Sequence, residues 1–313
     1  MNAEASPGKA PPHSTRLKGI FAMLIAVGAF ASMDTMLKVL SHRYPPLQLA
    51  SLRAAASIPF LVIPALLMGR LATLKPVRLG WHLLRGLLGV LLFGAFVYAV
   101  RVLSLADTYA IYLSAPLLIT ALSVPLLKEH VGWRRWIAIG VGLCGVLVML
   151  RPSGSNLMTL GAVAALIAAV AYSFSAITLR MLTRTESTSS VVLWPFVVMM
   201  VVSALLSARE WVTILPNHWL WFAGIGAVGA LASRMLTEAF RAAPPSVVAP
   251  FEYSALLWGV AIDWVVWNVL PSSRVLAGGA LVIASGLYII WRERQLHLAH
   301  IAAVVGGSGA AAL

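Results

Sequence analysis

Apolar runs of about twenty residues recur along the whole chain, separated by short segments rich in Pro, Gly, Lys and Arg. A run of that length spans the roughly 30 Å hydrocarbon core of a bilayer when it is helical. In lipid the backbone N–H and C=O groups have no water to bind, so each run must satisfy them within its own helix. The pattern therefore predicts an all-α polytopic membrane protein. Composition agrees: 60% of the 313 residues are hydrophobic and 11% are charged. A soluble domain of this size needs more charge to cover its surface.

The pattern divides into ten transmembrane helices, at about 18–40, 47–68, 80–100, 105–127, 133–150, 158–181, 189–208, 218–240, 246–268 and 273–291. Trp81, Trp133, Trp136, Trp211, Trp219 and Trp291 fall near their ends, where indole rings favour the membrane interface. The net charge of +13 does not point to nucleic acid, because no basic stretch is long enough to line a groove. Instead Lys and Arg collect in alternate connections, including Arg70 to Arg78, Lys128 to Arg135, Arg180 and Arg184. That bias predicts both termini in the cytoplasm. Cys144 is the single cysteine, which excludes an intramolecular disulfide.

The chain also repeats itself. Tyr98 to Arg151 reads as helix, short turn, Pro-containing helix, basic turn and Gly-rich helix, and Thr237 to Arg292 follows the same order. Gly140 and Gly145 are matched loosely by Gly279 and Gly286. Two halves of five helices each must lie in opposite orientations, since five is odd. The expected architecture is thus two inverted five-helix repeats, a transporter design with its site near mid-membrane.

Charge inside a membrane is costly and marks candidate sites. Glu252 stands first, in Pro250-Phe251-Glu252-Tyr253 within an apolar span and with no basic residue one turn away. Such a carboxylate takes an Arg from another helix, Arg53 or Arg234, or stays protonated. Tyr253, Tyr98, Phe251 and Trp258 offer flat surfaces to an aromatic or amphiphilic ligand. Asp34 and Lys38, one turn apart, are expected to form an ion pair, as are Arg234 and Glu238. Arg53 and Arg85 are also readable as snorkelling to the interfaces. The predicted substrate or proton site is Glu252, Tyr253, Asp34, Arg53, Arg234 and Tyr98. Ala165, Ala169 and Ser173 have the four-residue spacing that lets helices approach closely. There is no phosphate-binding loop, no zinc helix and no paired nucleophile and base, so neither an enzyme nor a metal or other cofactor is expected.

Several segments resemble the drug/metabolite transporter superfamily, in its ten-helix branch built from two EamA-type repeats. They are Arg101 to Thr108 followed by Ser114-Ala115-Pro116, the basic turn Lys128 to Trp136, Ala249 to Tyr253, Ala284 to Tyr288, and Asp34 with Lys38. The resemblance implies repeats at 18–151 and 152–292 between tails at 1–17 and 293–313. It departs at Trp267-Asn268, where the family often has Gly-Glu, and at Glu238, where it often has a base. It implies a carrier of the bacterial inner membrane. Groups that look similar handle riboflavin, S-adenosylmethionine or amino-acid-like metabolites, some by import and others by export. The expected partners are a small-molecule substrate and the lipid bilayer, without nucleic acid; a homodimer is compatible. The competing classes are a membrane-embedded enzyme, which would need acids or His clustered at one interface, and a non-transporting scaffold.

Overall fold

Without water to satisfy their backbones, the apolar runs fold as helices, and a computed structural model shows how these pack. It describes residues 13–127, 132–150, 160–182, 185–242 and 249–310. Among the described residues there is no strand. The first twelve residues, Lys128 to Val131, Arg151 and Arg184 lie outside them. The helices are α1 (His13–Ser41), α2 (Pro46–Leu67), α3 (Leu79–Val102), α4 (Leu105–Tyr112), α5 (Ala115–Leu127) and α6 (Trp133–Leu150). They continue as α7 (Leu160–Leu182), α8 (Thr188–Ser207), α9 (Trp219–Ala242), α10 (Ser254–Trp267) and α11 (Ser273–Ala310). Among the described residues seven segments, one of them α4 and α5 taken together, are long and apolar enough to cross a membrane. The chain is a multi-pass membrane protein.

Two predicted spans are not continuous helices. The fourth breaks between α4 and α5, because Pro116 has no N–H and its ring would clash with the carbonyl of Tyr112. The ninth starts as a 3₁₀ helix, Ala249–Tyr253, before α10 begins. Helix α10 ends at Asn268, whose φ of 55° is the left-handed conformation that asparagine tolerates. The last helix runs past residue 292 to Ala310, where the sequence suggested a tail; no proline interrupts that stretch.

Small residues fill many of the buried positions, and large apolar ones cover much of the outside. Ala54, Ala99, Ala106, Ala110, Ala165 and Ala169 are buried, whereas Phe60, Ile63, Leu87, Leu91, Trp264 and Val265 are exposed. With no hydrophobic force between helices in lipid, small side chains favour association by letting backbones approach closely. Helix α7 uses this against α3 and α5, and Ser173 donates to the Ala115 carbonyl at 3.2 Å. Gly226 brings two helix backbones together, since a Cβ there would strike the carbonyl of Ala56 on α2. Gly226→Val is therefore expected to lower stability by about 1–3 kcal/mol. Thermal unfolding in detergent reads this, and an unchanged midpoint would refute it.

The connection between α2 and α3 is tied to the start of α8. Glu186 accepts from the backbone N–H groups of Val77 at 2.8 Å and Arg78 at 2.6 Å, and from Ser190 at 3.1 Å. His82 Nε2 lies 3.2 Å from the same carboxylate. Ser187 donates to the Thr73 carbonyl, and Trp194 to that of Leu74 at 2.8 Å. Glu186 thus caps α3 from a connection in the other half of the chain. Burial pushes its carboxyl up, but the hydrogen bonds from Arg78, Val77 and Ser190, with His82 close by, outweigh this and hold it below the usual glutamate value. A lowered carboxyl contributes stability that is fully present above its unfolded value and lost as pH falls through the folded one. Wild type and Glu186→Gln should therefore differ in melting at neutral pH and converge well below about pH 4.3. A gap that persists in acid would rule out the carboxylate as its cause.

Candidate functional site

Helix α2 carries Arg53 into the middle of the bundle, where it is 1% exposed. Its guanidinium lies 3.8 Å from the Phe93 ring centroid on α3 and 5.3 Å from that of Phe196 on α8. Its Nε points at the Met33 sulfur at 3.1 Å, and Nη1 is buried with no hydrogen-bond partner. Gly229 on α9 makes room, since a Cβ there would come within 2.9 Å of the Met33 sulfur and 4.0 Å of Arg53 Nε. This buried position replaces the expected snorkelling, because the aromatic faces of α3 and α8 solvate the cation where water would otherwise be needed.

Asp34 on α1 lies within electrostatic range of Arg53, and its Oδ2 accepts from the Tyr109 hydroxyl at 2.8 Å. Tyr109 stands on α4 and stacks near Phe96, with centroids 6.2 Å apart. Lys38 turns away from Asp34 and reaches Asp263 on α10 at 3.5 Å, the Leu103 carbonyl at 3.0 Å and the Trp267 ring at 4.6 Å. The expected Asp34–Lys38 ion pair is thus replaced by Lys38–Asp263. Asp263 is favoured because its second oxygen also takes the free N–H of Ala106 at the start of α4, at 2.7 Å. Asp263 thus both pairs with Lys38 and caps the start of α4.

Glu252 occupies the 3₁₀ turn before α10 and is half-buried. No ion pair links it to Arg53, Arg234 or any other base among the described residues. It lies within electrostatic range of Tyr112, Tyr172 and its neighbour Tyr253. The Tyr112 and Tyr172 rings sit 5.4 Å apart at 41°, and Tyr112 is also in range of Arg53 and Asp34. Tyr112, at the end of α4, is therefore within electrostatic range of Glu252, Arg53 and Asp34 alike.

Asp34, Arg53 and Glu252 are brought round one set of tyrosines. Tyr253 is buried against Gly286, and Tyr98 is half-buried against the same core. Arg234 and Glu238 are exposed on α9. Arg85 does not snorkel; its Nη1 donates to the Val191 carbonyl at 2.8 Å and helps seal α3 to α8. Tyr109, Tyr112, Tyr172 and Phe93 were missed by sequence reasoning. The proline after Tyr112 was the available signal for one of them, because a broken span exposes the residues at its break.

The EamA-like transporter family matches the chain twice, over residues 17–151 and 159–292. A riboflavin transporter of Vibrio cholerae is 28% identical over 288 residues, covering 89% of this chain and 95% of that protein. An S-adenosylmethionine uptake transporter of Rickettsia conorii is 26% identical, over 90% and 95% of the two chains. A pseudopaline exporter of Pseudomonas aeruginosa is 24% identical, over 85% and 94%. A solved crystal structure shares the fold, with a TM-score of 0.62 at 19% identity over 90% of this chain and 98% of the other.

Proposed function

From the premise that this chain belongs to the EamA-like transporter family, we propose that it is a secondary carrier moving a small organic metabolite across the bacterial inner membrane by alternating access. The observation that carries this reading is the position of Arg53, Asp34 and Glu252. They lie inside the bundle, around Tyr112, next to the two discontinuous spans. Broken helices at the meeting of two repeats are where carriers bind substrate.

The packing pattern supports ten spans in two inverted repeats at 18–151 and 152–292. Numbering α7 as the counterpart of α1, α8 of α2 and α9 of α3, the pairs α1–α9 and α7–α3 correspond, as do α2–α9 and α8–α3. The pairs α2–α8 and α6–α11 map onto themselves. The breaks in the fourth and ninth spans both fall early in the span, which in inverted repeats sets them at opposite depths. With both termini cytoplasmic, the Lys38–Asp263 link lies on the outer side. There it joins α1 and α10 to the α3–α4 junction, a closure that alternating access must open.

Uptake of labelled riboflavin into proteoliposomes, with S-adenosylmethionine and amino acids as competitors, tests the function. Saturable flux of any of these above empty liposomes supports the carrier. A protein that moves none of them in either direction, and binds none, counts against it.

A further inference from the structure

We propose that the substrate is a zwitterion, its carboxylate held by Arg53 and its cationic group by Glu252. This rests on the carrier reading and adds the charge pattern of the cargo. A guanidinium has five N–H donors and no acceptor. Here the aromatic faces of Phe93 and Phe196 cover the plane of Arg53, which satisfies the charge but leaves the N–H edge unanswered. Nε has only a sulfur, a weak acceptor, and Nη1 has nothing. Asp34 does not fill the gap. It makes no ion pair with Arg53 within 4.0 Å, and its Oδ2 is bonded to Tyr109. A carboxylate reaching that edge completes charge-assisted hydrogen bonds that the protein itself leaves unmade.

Glu252 presents the opposite deficit. It is an acid without a basic partner among the described residues, and its neighbours are the three hydroxyl-bearing rings of Tyr112, Tyr172 and Tyr253. Aromatic rings close to a carboxylate suit an ammonium or sulfonium group, which gains from both. Arg85 also acts on Tyr172 and its Nε has no partner, but its Nη1 is committed to the Val191 carbonyl. Because Tyr112 is in range of Arg53 and Glu252 alike, one small molecule can meet both. A neutral flavin offers neither charge.

The test removes one pole of the ligand at a time. The purified full chain is challenged with L-phenylalanine, with phenethylamine, which lacks the carboxylate, and with 3-phenylpropionate, which lacks the ammonium. S-adenosylmethionine and riboflavin complete the panel, and binding is read by thermal stabilisation and by flux in proteoliposomes. Phenylalanine or S-adenosylmethionine should bind on the order of tenfold or more tighter than either single-pole analogue. Glu252→Gln should erase the preference for phenylalanine over 3-phenylpropionate, and Arg53→Met the preference over phenethylamine. If Arg53→Met does not fold, Arg53→Lys should keep the fold and weaken carboxylate binding, because lysine lacks the planar fork. Equal binding of all three phenyl compounds overturns the proposal. Riboflavin flux that no zwitterion inhibits also overturns it while leaving a carrier. No response to any of the five overturns both.

Discussion

Glu252→Gln is expected to bring flux down to that of protein-free liposomes while leaving expression and melting close to wild type. The two effects separate for a structural reason. No ion pair is lost, since Glu252 has no basic partner among the described residues. Glutamine has nearly the same shape and fits the same turn ahead of α10. What disappears is the negative charge and the ability to take up and release a proton. If Glu252 holds a cationic group or a coupling proton, neither survives the change. Flux in reconstituted vesicles, measured beside a melting curve of the same preparation, gives the answer. Wild-type flux from the variant would remove Glu252 from the site. A collapsed melting curve would show it to be structural.

The second large effect is expected at Asp263. Asp263→Ala leaves Lys38 without its carboxylate and the Ala106 N–H without an acceptor, both in buried positions. Breaking a buried pair from one side costs about 3–5 kcal/mol. The Leu103 carbonyl and the Trp267 ring still hold Lys38, so the lower end, about 3 kcal/mol, is expected here. Transport should suffer as well, because the link joins α1 and α10 to the α3–α4 junction. The exchange Lys38→Asp with Asp263→Lys should recover part of the melting loss if the ion pair supplies it. It should not restore the cap on α4, since lysine cannot accept from Ala106. Full recovery on exchange would mean that the cap is unimportant. No recovery at all would mean that the ion pair is.

These expectations draw unequally on what the chain reveals by itself. The buried acids and bases were visible as interruptions in apolar runs, and so Asp34, Arg53 and Glu252 could be named without coordinates. Their partners could not be. Asp34 and Lys38 sit one turn apart, and spacing alone favours a pair between them. Asp263 wins Lys38 because it is already fixed by Ala106, more than 150 residues away. Arg234 has the same kind of residue and the same kind of span as Arg53, yet one is exposed on α9 and the other is enclosed by aromatic rings. Which face of a helix looks inward depends on its neighbours, and in lipid both faces are apolar enough to hide the difference.

The sequence by itself determined that this is a helical membrane protein with an internal repeat and a few charges that must be buried or paired. Those properties follow from bilayer thickness and from the cost of unsatisfied polar groups, which are local and act on every run alike. Only the tertiary structure decided which charge meets which, that the fourth span breaks beside Tyr112, and that Tyr112 comes within range of both Arg53 and Glu252. Pairing of this kind depends on contacts between helices distant in the chain, where small residues such as Gly226 set how closely they approach. No periodicity within a single span records that distance.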